Sequence, residues 1–396
     1  MTLDRARCFI KCLLMLLQDP VSLAPLSGLT AVNLTRCWET ARAALAALPG
    51  LFAQGLSAET AGQILAVLNT NSHTLEQLEG SGLFLLACMM EHDCQPTCSF
   101  TTYGDKIWLT CVRAVKPGEA LSIDYGNNFY VPAAERQADL LETYGFKCRC
   151  KACTILADPT RAFHCPSEDC EGKVCAPADA PALGAGEKSG GGSGGGAGGG
   201  TPWPSSPPST TCGWHCGLCG HECVQGEVKA MLIAEAEFSR ALAEEGVAGV
   251  EDVDMLLEKE ESRAVHGHHY AAFWALNALA KSLSQASGTE LARRGFCSSA
   301  PAAEDAWQRV VEAVEAVLPE WHHEKAIYYD SWAQAKVLAG DIEGAREAYW
   351  NAYRVSAVVS GVATQPTLDI KALAEDPPAD VQELVARYSV RNAMPT

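Results

Sequence analysis

Tyr144-Gly-Phe-Lys-Cys-Arg-Cys-Lys-Ala-Cys153 sets three thiols two and three positions apart, directly after a tyrosine and a phenylalanine. Thiolates this close in sequence can converge on one tetrahedral ion more readily than they can form disulfides. A closed zinc site of this kind needs a fourth ligand from elsewhere. Upstream lie Gly118-Glu-Ala-Leu-Ser-Ile-Asp-Tyr125, Glu91-His-Asp-Cys-Gln-Pro-Thr-Cys98 and Gly80-Ser-Gly-Leu-Phe84. Alternation through Thr101-Thr-Tyr stops at Gly104-Asp105 and resumes over Ile107-Trp-Leu-Thr-Cys-Val112, which predicts a β-hairpin. Lys116-Pro-Gly-Glu119 predicts a second turn, feeding a short strand over residues 120–125.

Either side of this segment the patterning is helical. In residues 1–70, Leu45, Leu48, Leu51, Phe52, Ile64, Leu65 and Leu68 fall mostly at helical spacings, with Pro49-Gly50 as a break. Cys12-Leu-Leu-Met-Leu-Leu17 faintly imitates a secretory signal, but Lys11 and Gln18 bound it closely, and an amphipathic helix is the expectation. No apolar run reaches membrane-spanning length. Residues 176–211 are low-complexity, and Gly190-Gly-Gly-Ser-Gly-Gly-Gly-Ala-Gly-Gly-Gly200 cannot repay the entropy of ordering, so a mobile, dispensable tether is expected over 182–211. From Val228 onward helices are expected, broken at Gly246, Gly288, Pro301, Pro319 and Gly340. Ile327–Leu338, the Gly340-Asp341 break and Ala345–Tyr353 look like one tetratricopeptide-type helix pair.

Bulk numbers narrow the function classes. A formal charge of −18 argues against phosphate-driven nucleic-acid binding, which needs a basic surface, so no direct contact with nucleic acid is expected. Most of the eighteen cysteines lie between Cys88 and Cys223 at metal-like spacings, which points to a reducing compartment, nucleus or cytoplasm.

Taken together, the motifs resemble the SET and MYND domain family of protein-lysine methyltransferases. That family carries an Asn-His-Ser-Cys-x-Pro-Asn motif, a Gly-Glu-Glu-Leu-x-Ile-x-Tyr strand and a Cys-x-Cys-x-x-Cys motif, matched here in order over about residues 69–153. The resemblance implies that Cys94 is the fourth ligand beside Cys148, Cys150 and Cys153, in a post-SET zinc site that contributes folding energy. Cys94 as a merely buried thiol is the alternative. It further implies S-adenosylmethionine as cofactor, Tyr125 and Tyr144 as the catalytic channel tyrosines, and Phe146 as the ring that stacks on adenine. Asn71 and His92 match positions near the cofactor. Glu91 stands where the family has asparagine, and an acceptor-only carboxylate cannot replace an amide in full, although it can pair with the cofactor's ammonium group. The bland reading makes the three aromatics core residues. Neither the family's Gly-rich opening strand nor its MYND cysteine array occurs before residue 70, so the chain is expected to begin inside the helical insert that splits the SET domain, the alternative being loss of part of the methyl-donor site.

A second zinc site is expected from Cys165-Pro-Ser-Glu-Asp-Cys170 and Cys216-Gly-Leu-Cys219, two knuckles of a ribbon, with Cys175, Cys212, His221 and Cys223 as spare ligands. Closing the intervening loop costs on the order of 4 kcal/mol, well under the roughly 10–16 kcal/mol that structural zinc supplies. Loose surface thiols are the alternative. His266, His268, His269, His322 and His323 receive no function. Glu235, Glu237, Glu244, Glu245, Glu251, Asp252 and Asp254 are expected to form a negative rim that steers a basic substrate, against the plainer reading of solvated helix faces.

The fold expected is thus α+β: a partial β-rich SET core with a helical insert, a cysteine-rich post-SET and ribbon segment, and an all-α, TPR-like C-terminal domain. The divisions are 1–70, 71–146, 147–175, 176–211, 212–227 and 228–396. The function expected is methylation of a lysine on a protein substrate, such as a histone or another basic protein, away from membranes. The rival is a non-catalytic zinc and helical-repeat scaffold.

Overall fold

A computed structural model describes residues 3–19, 21, 23–47, 50, 55–75, 78, 80–126, 129–180, 213–294 and 299–393. The expected tether over 182–211, Cys212, and the expected core residues Leu48, Leu51 and Phe52 lie outside these.

Apolar spacing makes the first helices, α1 (Leu3–Gln18), α2 (Leu34–Ala47) and α3 (Ala58–Asn71). They bury Phe9, Leu13, Leu45, Ile64, Leu65 and Leu68 in one core, so the apolar run near the N-terminus is one face of a packed amphipathic helix. Ser57 starts α3 by accepting the Thr60 N–H at 3.0 Å, a cap whose loss costs ~1 kcal/mol.

Short ladders follow: β1 (His73–Leu75) with β2 (Gly80–Gly82), then α4 (Leu85–Cys88) and β3 (Glu91–His92). The hairpin β4 (Cys98–Tyr103) and β5 (Lys106–Cys111) turns at Gly104-Asp105 as expected. The strand expected over 120–125 shortens to β6 (Ser122–Ile123), which runs parallel to β3. Every sheet among the described residues has two strands. The architecture is therefore mixed, helices with small sheets whose strands here are two to six residues long. Helices α5 (Ala133–Tyr144) and α6 (Lys151–Thr154) lead to the hairpin β7 (Ala162–His164) and β8 (Lys173–Cys175).

The rest is helical: α7 (Gln225–Glu245), α8 (Val250–Glu258), α9 (Tyr270–Arg294), α10 (Ala300–Val317), α11 (His323–Ala339), α12 (Ile342–Ser356), α13 (Gln365–Glu375) and α14 (Val381–Ala393). Gly288 does not break α9, which runs through it; one glycine costs about 1 kcal/mol in a helix interior, too little to stop a helix of this length. Alanines 333, 345 and 348 let α11 and α12 approach closely around Tyr349, and Asp341 caps α12 by accepting the Gly344 N–H at 2.9 Å.

The two parts share a core. Tyr130, fully buried, stacks on Phe273 with centroids 3.8 Å apart and donates its hydroxyl to the His268 carbonyl at 2.9 Å. Val253, Trp307, Val310 and Tyr328 close around this pair. Burying such a ring is worth about 1.5–3 kcal/mol. A second contact lies at the β4–β5 hairpin, where Thr101 Oγ1 donates to Ser360 Oγ at 2.9 Å and Val112 packs on Val355 and Val359.

Candidate functional site

Parallel pairing of β3 with β6 brings their ends together, so His92 and Tyr125 emerge side by side. His92 Nδ1 accepts the Tyr125 N–H at 3.1 Å, and the rings sit 5.3 Å apart. Tyr144, the last residue of α5, lies 5.0 Å from Tyr125 ring to ring. Gly145, with φ +75, caps that helix in the left-handed region where glycine is favoured and reverses the chain. Phe146 then returns to within 5.8 Å of His92 and 6.3 Å of Tyr125, edge-on to the latter. Tyr125, Tyr144, Phe146 and His92 thus form one aromatic corner.

Both phenols face inward. The Tyr125 hydroxyl donates to the Met90 carbonyl, and the Tyr144 hydroxyl donates to the Tyr125 carbonyl at 3.0 Å. Burial first, then the neighbouring Tyr144, Glu91 and Cys88, pushes the Tyr125 phenol above its ordinary value, so it stays protonated at neutral pH. Glu91 is exposed on β3. Asn71 reaches the corner indirectly: its Nδ2 donates to the carbonyls of Thr30 (2.7 Å) and Val67 (2.9 Å), and its own carbonyl accepts the Cys88 thiol at 3.3 Å. Sequence reading missed Cys88, which nothing but tertiary contact distinguishes.

Below this corner, ligand atoms of Cys94, Cys148, Cys150 and Cys153 all lie within 4.8 Å of one another. The turn of α6 wraps Cys150 to Cys153, whose N–H reaches the Cys150 carbonyl at 3.1 Å. Cys94 Sγ stands 3.5 Å from Cys153 Sγ and 3.2 Å from His92 Nε2. His92, its side chain 2% exposed, is therefore a strut joining the cysteine cluster to Tyr125. Hydrogen bonds from Cys153 and Cys94 pull the Cys150 thiol far down, whereas burial pushes Cys148 up to about 12. Buried Arg136, which donates to the carbonyls of Val131 and Ala152, places a positive charge beside these sulfurs; it too was missed, one arginine in an ordinary amphipathic helix. Four thiols gathered on one point fit a tetrahedral thiophilic ion.

The second set also converges. Cys165, Cys170, Cys216 and Cys219 have ligand atoms within 4.8 Å of one another, although residues 181–212 separate the knuckles in sequence. The β7–β8 hairpin holds the first knuckle, with the Cys165 N–H on the Gly172 carbonyl at 3.0 Å, and Val174 bridges to Cys216. A Cβ on Gly172 would lie 2.6 Å from Cys216 Sγ and 3.2 Å from Cys170 Sγ, so the sulfurs occupy a cradle that only glycine leaves open. The N–H of His221 and the Cys170 thiol lower Cys219 to about 7. Cys175 is not in this set; His221 and Cys223 instead fall into a separate group with Glu227.

The acidic rim does not hold as read. Glu235 is 1% exposed and forms a bidentate pair with Arg161 at 2.9 and 2.6 Å, while His269 Nε2 donates to it at 3.1 Å. Arg240 pairs with Glu237 and Glu244, Lys259 with Glu245, and Arg309 with Asp254. Asp252 accepts the N–H groups of Ala248 and Gly249 at the start of α8. Burial thus removes Glu235 from any rim, and the surface pairs offset part of the charge on the other carboxylates.

Comparison with known proteins is consistent with the motifs. Residues 41–126 match the family model of the SET domain. The chain is 34% identical over 99 residues to histone-lysine N-methyltransferase set5 of Schizosaccharomyces pombe, covering 24% of this chain and 30% of that protein. It is 33% identical over 95 residues to human N-lysine methyltransferase SMYD2 (23% and 22%). A SET and MYND domain-containing protein of Dictyostelium discoideum is 34% identical over 76 residues (19% and 22%). The matched region spans less than a third of each relative. The resemblance to SET-type lysine methyltransferases of the SET and MYND kind rests on these likenesses.

Proposed function

We propose that this chain carries the lysine-channel side of a SET-type protein-lysine N-methyltransferase, acting on a lysine-bearing protein such as a histone or another basic protein. The observation that carries the reading is the aromatic corner of Tyr125, Tyr144, Phe146 and His92, joined to a four-cysteine cluster. S-adenosylmethionine, when bound, supplies an electrophilic methyl group on a sulfonium. The corner suits such a group chemically: aromatic rings attract a sulfonium and stack on adenine, and the Glu91 carboxylate can pair with its ammonium group. Phe146 and Glu91 would hold it.

The remaining work belongs to this chain's own side chains. A lysine amine has a pKa near ~10.4, so freeing its lone pair at pH 7 costs on the order of 4–5 kcal/mol. A channel walled by Tyr125 and Tyr144 excludes water and disfavours the ammonium form. The neutral Tyr125 hydroxyl can exchange its bond to the Met90 carbonyl for one to the amine and orient its lone pair. Zinc at the two cysteine clusters would be structural: all four ligands come from the protein, with no open position for chemistry.

A second reading, a non-catalytic scaffold, has one observation in its favour: both phenol hydroxyls are already bonded to backbone carbonyls. Incubating the zinc-loaded chain with radiolabelled S-adenosylmethionine and core histones separates the two. The enzyme reading expects label on lysine and about a 10²–10³-fold lower rate for Tyr125→Phe. Absence of cofactor binding by calorimetry would favour the scaffold.

A further inference from the structure

Beyond its two cysteines the second knuckle continues Gly220-His-Glu-Cys-Val-Gln-Gly-Glu227. Ligand atoms of His221, Cys223 and Glu227 lie within 4.8 Å of one another, as a set distinct from the four cysteines beside it. We propose that these three residues are a third metal site, binding a divalent ion of the zinc class through one nitrogen, one sulfur and one oxygen, with a fourth position left to water.

Backbone geometry fixes the donors before any ion arrives. The Cys216 N–H bonds the His221 carbonyl at 2.9 Å, and the Cys223 N–H bonds the Trp214 carbonyl at 2.9 Å. Together with the His215–Glu222 bridge, these bonds hold the strand that carries both side chains. Glu227 lies in the first turn of α7, where its Oε2 accepts the Val224 N–H at 2.8 Å and stands 3.0 Å from His221 Nε2. That backbone bond orients the carboxylate toward the imidazole, as supporting hydrogen bonds do around metal ligands.

The donor set selects the ion. A thiolate and an imidazole suit zinc or cobalt and disfavour magnesium and calcium, which take oxygen. Thiolate and carboxylate together neutralise a divalent charge, so no net positive charge is placed at the positive end of α7. Access is from one side: the His221 and Glu227 side chains are 29% and 28% exposed, while Cys223, 2% exposed, offers its sulfur from the core beneath. A capping ion pair between His221 and Glu227 alone would explain their contact but not the Cys223 sulfur within 4.8 Å of both ligand atoms. Three ligands hold an ion less firmly than four thiolates, so this ion should exchange first.

The test is a difference in stoichiometry on the full chain. Protein equilibrated with zinc, then freed of unbound metal, is assayed by elemental analysis for the native chain and for His221→Gln. The expected result is one zinc fewer per chain in the variant, with that same ion removed first from the native chain by a mild chelator. Cobalt in its place should give the weaker thiolate-to-metal absorption of a single sulfur ligand. Equal zinc content in the native chain and the variant would overturn the proposal. Should His221→Gln misfold by circular dichroism, Glu227→Gln carries the same comparison, because glutamine still accepts the Val224 N–H. At least tenfold weaker binding of the exchangeable zinc is expected there, and unchanged binding overturns the proposal equally.

Discussion

Replacing Glu235 by glutamine keeps the shape of the side chain and removes its charge from a site 1% exposed. The carboxylate now receives Arg161 Nε and Nη2 and His269 Nε2, while Arg161 Nη1 goes to the Ala180 carbonyl at 2.8 Å. Burial alone would raise Glu235, but the His269 hydrogen bond and the Arg161 guanidinium outweigh it and hold it below the usual carboxylate range. In Glu235→Gln the buried guanidinium loses its bidentate carboxylate, and Asp158 remains as a negative neighbour. Breaking a buried pair this way costs about 3–5 kcal/mol, roughly two to four powers of ten in the folding equilibrium. Urea unfolding followed by far-UV circular dichroism measures it. The double variant Arg161→Met with Glu235→Leu should recover most of the loss, because a packed apolar pair replaces a buried ion pair at little cost. The sign with pH is also set. A carboxylate depressed in the folded state adds stability above its unfolded pKa and loses it as pH falls through the folded value, so the gap between native and Glu235→Gln should narrow below about pH 4. A loss under ~1 kcal/mol, or a double variant no better than the single one, would show that the triad is not a buried charge pair in solution.

Three further expectations concern the clusters and the histidines. Cys150→Ser should remove one zinc and, by releasing Tyr144 and Phe146, flatten the near-UV circular dichroism; an unchanged spectrum would mean the corner stands without its pin. Gly172→Ala should cost the ribbon at least tenfold in zinc affinity, because its Cβ would meet Cys216 Sγ at 2.6 Å, whereas Gly217→Ala, with nothing within 4 Å, should be silent; equal affinities would refute the cradle. Burial, aided by His323 and Lys325, lowers His322 to about 3. The unfolded chain then takes up a proton below pH ~6.5 that the folded chain refuses, so stability should fall by up to about 1.4 kcal/mol per pH unit from this group alone. Urea midpoints that do not move between pH 7 and 5 would contradict it.

Local signals were legible in the sequence and long-range ones were not. The β4–β5 hairpin could be read because its turn residues and its alternation sit within one short stretch. Both four-cysteine sets could be read because each knuckle announces itself, and the ligand set expected by resemblance for the first is the one whose sulfurs gather. Pairing of β3 with β6 could not be read, since two residues per strand carry no period. Glu235 was misread as surface charge because α7 shows acidic residues along its length, and only the distant Arg161 decides which one turns inward.

The shared core has a consequence during synthesis. Trp274 Nε1 donates to the Tyr130 carbonyl across 144 positions of sequence, and Phe273 beside it supplies the face on which Tyr130 stacks. At about 5–20 residues per second, roughly 7–30 s pass between the making of Tyr130 and the arrival of its partners. During that interval the nascent chain presents an unstacked tyrosine. The thiols of the first knuckle also wait for Cys216, made 46 positions after Cys170. The N-terminal half therefore cannot finish folding as it emerges, and its exposure to oxidation or chaperones is set by how fast the helical half is translated.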